Sequence, residues 1–119
     1  MAIHNQLGKK GEEIAVQFLL SKGYKILQTN WCYGKAEVDI VAYLKPYLIF
    51  VEVKARSSVK FGQPEEFVSN AKQRRLQWAA EGYIYQYKYT GEVRFDIVSV
   101  LFDAAGAYTL RHIEDAFWG

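Results

Sequence analysis

The sequence predicts an α/β domain in which a mixed five-stranded sheet is flanked by helices, in the order α-β-β-β-α-β-β. Two stretches repeat apolar residues at three- and four-residue spacing, the pattern of one buried helical face. Five others are rich in Tyr, Ile, Val and Phe or alternate polar with apolar residues, as strands do. A chain of 119 residues has the size of one domain, residues 1–119. It buries roughly two-thirds of its extended-chain surface, enough for a core without disulfides or a structural metal.

The first helix is read from Leu7, with Gly11, Ile14, Ala15, Phe18 and Leu19 on its inner side, and Gly23 as its stop. Three strands follow, Tyr24–Cys32, Ala36–Leu44 and Tyr47–Arg56. Only Lys45-Pro46 separates the last two, too short a link for a parallel crossover, so they pair antiparallel. Ser57–Ser69, with Gly62 and Pro64, reads as a loop carrying one short helical turn near Glu65–Val68. Asn70 then caps a second helix. Its inward stripe is Leu76, Ala79, Ala80, Tyr83, Ile84 and Tyr87, with Lys72, Arg74, Arg75 and Gln77 pointing elsewhere. Glu92–Phe102 and Ala107–Ile113 complete the sheet around an Asp103–Gly106 turn.

Half of the residues are hydrophobic and 24% charged, which excludes a disordered or collagen-like chain. No apolar run approaches the roughly 20 residues of a membrane span, and the N-terminus lacks the basic and apolar segments of an export signal. A cytoplasmic location without membrane contact is the expectation. The single Cys32 permits no intrachain disulfide and reads as a small buried residue. A net charge of +2 permits nucleic-acid binding without announcing it.

Chemistry concentrates on the second and third strands. Alternation places Val38, Ile40, Ala42 and Leu44 on one side of the second strand and Glu37 and Asp39 on the other. On the third, Tyr47, Ile49, Val51 and Val53 share one face, and Leu48, Phe50, Glu52, Lys54 and Arg56 the other. Asp39 lies six residues before Lys45 and Glu52 six after Pro46, so the two carboxylates become cross-strand neighbours. Such a pair raises a pKa unless a cation sits between its members. A hard divalent ion, Mg²⁺ or Mn²⁺, suits Asp39, Glu52 and the Val53 carbonyl, with Glu37 as a further candidate ligand. Lys54 then positions a water or stabilises charge developing on a phosphate, and the reaction is metal-assisted phosphodiester hydrolysis. A solvated salt-bridge cluster satisfies the same pattern without function.

Asp39, a gap of twelve residues and then Glu52-Val53-Lys54, after a helix carrying Glu12, resembles the PD-(D/E)XK nuclease superfamily. Gly11-Glu12, Ala36-Glu37-Val38-Asp39, Phe50 to Arg56, Phe61-Gly62, Lys72 to Leu76, Arg94-Phe95-Asp96 and His112-Ile113 resemble its small YraN-like bacterial family. The blocks span nearly the whole chain. One departure is Ala36, where that family typically has Gly before its first strand acid; a small backbone adjustment is expected there. The resemblance implies a restriction-endonuclease-like core, related to Holliday-junction resolvases, in which Asp39, Glu52, Lys54 and Glu12 are catalytic. Helical geometry supports Glu12 over Glu13, since at about 100° per residue Glu12 borders the buried stripe.

Arg56, Lys72, Gln73, Arg74 and Arg75 are the candidate nucleic-acid contacts, although a basic helix face is equally a solvated one. The implied partner is nucleic acid, DNA ahead of RNA and branched or structured DNA in particular, and a second copy of the chain is a candidate partner. The alternative is a nucleic-acid-binding module with the nuclease fold that is inactive alone. Arg94 and Asp96 read as a structural ion pair, and His4 and His112 lack ligand spacing. Aromatic residues make up 16% of the chain, and Trp31, Trp78 and the tyrosines at 83, 85, 87 and 89 stay open between core, dimer surface and base-stacking platform.

Overall fold

The computed structural model describes residues 2–57 and 69–116. The expected helical turn at 65–68 and the Phe61-Gly62 block lie outside the described residues. The element order is α1 (Ala2–Ser21), β1 (Lys25–Tyr33), β2 (Ala36–Leu44), β3 (Tyr47–Arg56), α2 (Asn70–Tyr87), β4 (Glu92–Phe102) and β5 (Tyr108–Ile113). The α-β-β-β-α-β-β order and the mixed sheet are those expected. The strands lie side by side in chain order, antiparallel except for the parallel pair β3 and β4. That parallel step needs a crossover, and the segment containing α2 makes it.

Among the described residues, one helix packs on each face of the sheet. Ala15 and Leu19 of α1 join Ile40, Ala42, Ile49, Val51, Val98 and Val100 in one core. Leu76, Ala79, Ala80 and Tyr83 of α2 join Trp31, Val38, Val41, Leu48, Phe50, Phe95 and Ile97 in the other. Buried on both faces, β3 reads as the nearly unbroken apolar run Tyr47–Val51. At Gly11 the first helix meets β3 so closely that an added Cβ would stand 2.7 Å from the Ala55 Cβ. The glycine thus lets the turn of α1 that carries Glu12 approach the sheet closely.

The helix ends follow local chemistry and correct two expectations. No proline interrupts the residues ahead of Leu7, and α1 begins at Ala2. It ends where expected, with Gly23 at φ 90° and the Tyr24 N–H donating to the Leu19 carbonyl at 3.0 Å. The cap of α2 is Ser69, not Asn70: the Ser69 hydroxyl accepts from the Lys72 N–H at 3.2 Å. Lys88, left-handed at φ 53°, closes the C-terminus. The first strand is displaced by one residue from its expected span, because Tyr24 is still occupied in the α1 turn.

Strict alternation along β2 fails. Val38 belongs to the α2 core while Ile40 and Ala42 belong to the α1 core, so the strand changes face at Asp39. Opposite this point on β1 stands Asn30, between Thr29, which pairs with Ile40, and Trp31, which pairs with Val38. Asn30 adopts φ 53°, a left-handed conformation that asparagine tolerates better than most residues. Such irregularities re-aim side chains at strand ends. Cys32, expected to be buried, is exposed near the end of β1. Among the described residues no helix is long and apolar enough to cross a membrane.

Candidate active site

Pairing between β2 and β3 runs from Leu44 and Tyr47 to Ile40 and Val51 and stops there. Beyond it the strands part, and the Val53 N–H, without a ladder partner on β2, donates to the Asp39 carboxylate at 2.7 Å. Asp39 therefore enters the gap between the strands instead of standing squarely on the Glu37 face. The Val53 carbonyl leaves the extended strand on the same side as its N–H, and so faces the same gap.

Glu52 points to the α2 side and is only 3% exposed. A carboxylate at that depth requires a cation. Lys72 supplies it from the first turn of α2, with its Nζ 2.6 Å from Glu52 Oε2, and Lys54 Nζ stands 3.6 Å from the same oxygen. No three His, Cys, Asp or Glu side chains among the described residues gather tightly enough to hold a metal by themselves.

The electrostatics are those of crowded like charges. Burial, followed by repulsion from Glu52, pushes the Asp39 carboxyl up to about 7; Glu12 adds to the rise, while the Val53 N–H and Lys72 oppose it. Burial also holds the Lys54 ammonium below its ordinary value, with Lys72 and Arg56 adding repulsion and Glu52 opposing. Burial lowers Lys72 as well, but its hydrogen bond to Glu52 outweighs this, and its pKa is raised overall.

Glu12 reaches the cluster from α1. Asn30 Nδ2 donates to its Oε1 at 2.6 Å, and burial raises its pKa, with Glu37 adding to the rise. Asp39, Glu52, Lys54 and Glu12 are thus brought together from three elements. Glu37 is not: it is exposed, opposite Cys32, and acts on Glu12 and not on Asp39.

The candidate nucleic-acid contacts separate as well. Lys72, read as pointing away from the core, lies on its buried side against Glu52. Gln73 is half-buried beside it. Arg56 is exposed at the end of β3, its Nη1 donating to the Ala55 carbonyl at 3.0 Å. Arg74 and Arg75 are exposed, and at about 100° per residue Arg74 emerges opposite Lys72, away from the carboxylates. Sequence reasoning missed Lys72 as the partner of Glu52 and Asn30 as the support of Glu12.

It also understated the Arg94–Asp96 pair. Asp96, fully buried, accepts from Arg94 Nε and Nη2 at 2.9 and 2.8 Å and from the Asp115 N–H at 3.0 Å, and lies 2.8 Å from His112 Nε2. Burial alone would raise its pKa; the bonds to His112, Arg94 and Asp115 prevail and hold it below the ordinary value. Arg94 further donates to the Tyr24 hydroxyl at 2.8 Å. With its oxygens shared among so many partners, Asp96 fastens β4 and β5 to the end of α1 and is not open for catalysis.

Comparison with known proteins agrees with these blocks. Residues 11–100 match the model of the family described as Uncharacterised protein family UPF0102. A UPF0102 protein of Flavobacterium psychrophilum is 47% identical over 118 residues, 99% of this chain and 98% of the relative. One of Christiangramia forsetii is also 47% identical, over the same shares of both chains. One of Phocaeicola vulgatus is 42% identical over 99% of this chain and 97% of the relative. By the family match and by full-length relatives alike, the chain belongs to the UPF0102 family.

Proposed function

We propose that the chain is a metal-dependent nuclease that hydrolyses phosphodiester bonds of nucleic acid, with branched or structured DNA the first substrate to try and Asp39, Glu52, Lys54 and Glu12 at its centre. The observation that carries this reading is the meeting of Asp39 and Glu52 where β2 and β3 part, with Lys54 on the same oxygen as Lys72. A purely structural sheet end gains nothing from a carboxyl raised to about 7 by burial and by repulsion from Glu52.

The donor set suits Mg²⁺ or Mn²⁺. Such ions are usually held by one or two carboxylates, further oxygen ligands and waters, and here Asp39, Glu52 and the Val53 carbonyl would hold the ion. When bound, the ion supplies Lewis-acid charge at the phosphate and lowers the pKa of nearby water. The chain's own residues do the rest. The Val53 N–H fixes the Asp39 carboxylate, Lys54 orients a water and counters charge growing on the phosphate, and Glu12, steadied by Asn30, borders the centre from α1.

One observation favours a second reading, a nucleic-acid-binding module that is inactive alone. Lys72 already neutralises Glu52 at 2.6 Å, as a resident cation would. In that case a partner or substrate must draw Lys72 away before hydrolysis.

The test is incubation of the purified chain with Mg²⁺ or Mn²⁺ and a panel of single-stranded, duplex, flapped and four-way-junction DNA together with structured RNA. The nuclease reading expects cleavage that chelation stops and that Asp39→Ala, Glu52→Ala and Lys54→Ala each abolish. Cleavage that survives all three substitutions would refute it.

A further inference from the structure

We propose that the outer face of α2 at Trp78, together with the β1–β2 hairpin tip, is a stacking platform for an unpaired base of the bound strand. The proposal rests on the nuclease reading above and adds to it a binding site for single-stranded nucleic acid beside the carboxylate pair.

Trp78 is 50% exposed although it is the largest side chain on its helix. It is not loosely held. Its ring meets Tyr33 edge-on, with centroids 4.8 Å apart, and Tyr33 in turn stacks on the buried Trp31 at 5.8 Å and 8°. Space for Tyr33 against α2 comes from Gly82, where a Cβ would intrude to 2.6 Å from its ring. At the turn of the hairpin, a Cβ on Gly34 would come within 3.1 Å of the Trp78 indole. The indole is thus wedged at one edge and open to solvent over much of its surface, a preorganised apolar plane costing little entropy on binding.

Its surroundings are mostly basic, with the exposed Glu81 at i+3 opposing. Arg74 and Arg75, at i−4 and i−3 on the same helix, are its surface neighbours, and Lys35 extends from the hairpin turn that Trp78 touches; all three are exposed. An aromatic plane among cations matches a base with its flanking phosphates. The same charges oppose self-association, because a two-fold contact through this patch would bring like charges together.

The position fits the candidate active site. Trp78 follows Lys72 by six residues on α2, about 9 Å along the axis, and Ala36 precedes Asp39 by three on β2, about 10 Å. A stacked strand covers that distance in roughly three nucleotides. Arg74, which points away from the carboxylates, thereby acquires a role at the platform, and Arg75 lies between the platform and the Lys72 side of the helix.

The test compares a labelled short oligothymidylate with an abasic strand of equal length, both binding the full-length chain in EDTA, followed by fluorescence anisotropy. The parent is expected to prefer the thymidylate by about five- to 150-fold, the contribution of one stacked base. Trp78→Leu should remove the preference while leaving abasic-strand binding unchanged, and Trp78→Tyr should restore most of it. Should Trp78→Leu fail to fold, indole emission of the parent decides: thymidylate must quench it and the abasic strand must not. Equal affinity of the parent for the two strands, or a preference that survives in Trp78→Leu, overturns the proposal. So does a parent dimer that Trp78→Leu converts to monomer without any base preference, which would assign the face to a second copy. Because no metal is present, failure of the nuclease reading appears in the cleavage assay and not in this one.

Discussion

Replacing Asp39 with asparagine should stabilise the protein above neutral pH, and the size of the effect follows from the crowding at the site. In the folded chain the carboxyl is pushed up to about 7, against an ordinary 3.8. At 1.36 kcal/mol per decade of proton affinity, the gap amounts to about 4 kcal/mol. The folded-state pKa is the higher one, so the folded state binds the extra proton. Its contribution is fully present below pH 3.8 and is lost as pH rises through about 7. At pH 8 the metal-free parent therefore carries an ionised, poorly compensated pair. The side-chain amide introduced by Asp39→Asn would keep an oxygen to accept from the Val53 N–H but brings no charge. Removing the Asp39 charge also removes its repulsion of Glu52, and part of the gain reports that relief. Urea denaturation of parent and variant at pH 5 and pH 8 isolates the difference. The variant should lead by roughly 2–4 kcal/mol at pH 8 and by much less at pH 5. Identical pH profiles would refute the assignment of strain to this pair.

The remaining expectations concern its surroundings. Lys72→Met removes the closer cation from buried Glu52; with Lys72 about one-third exposed and its loss softened by solvent, the metal-free protein should lose roughly 1–3 kcal/mol. The same variant should show a larger Mn²⁺-induced rise in Tm than the parent, since the closer of the two lysines no longer competes for Glu52, and a vanished rise would contradict this. Asp96→Ala removes the buried carboxylate from Arg94, leaving it only Tyr24 and the exposed Glu114, and should cost about 3–5 kcal/mol by urea denaturation; a loss below about 1 kcal/mol would show the network to be ornamental. Lys88→Gly, at the left-handed cap of α2, should gain roughly 0.5–1 kcal/mol without changing cleavage.

The legible parts of this fold were those that local chemistry determines. Lys45-Pro46 left no room for anything but a tight reversal, and β2 and β3 have their expected spans. Asp39 and Glu52 lie at the adjacent strand ends that their spacing from Lys45-Pro46 implies, and Lys54 reaches Glu52. What stayed hidden depends on partners distant in sequence. Alternation could not foresee the change of face at Asp39, which accompanies a left-handed Asn30 on the neighbouring strand. Lys72 was read outward because it is charged, yet it stands four residues before buried Leu76 and shares its stripe; a lysine on a buried stripe was itself a signal of a buried acid. Asp96 read as half of a simple pair because His112 and the Asp115 N–H reach it only once β5 is folded against β4. Gly11, directly before Glu12, offered a signal of close helix-to-strand approach, and the structure places it against Ala55.

Direct titration with Mn²⁺ tests most plainly whether Asp39 and Glu52 form a metal centre or a solvated charge cluster. Binding monitored calorimetrically at pH 8 should show one site in the parent, strongly weakened in Asp39→Asn and in Glu52→Gln and retained in Glu37→Gln. Equal binding by the parent and both site variants would contradict the metal centre and return the pair to the role of a buried charge cluster held by Lys72.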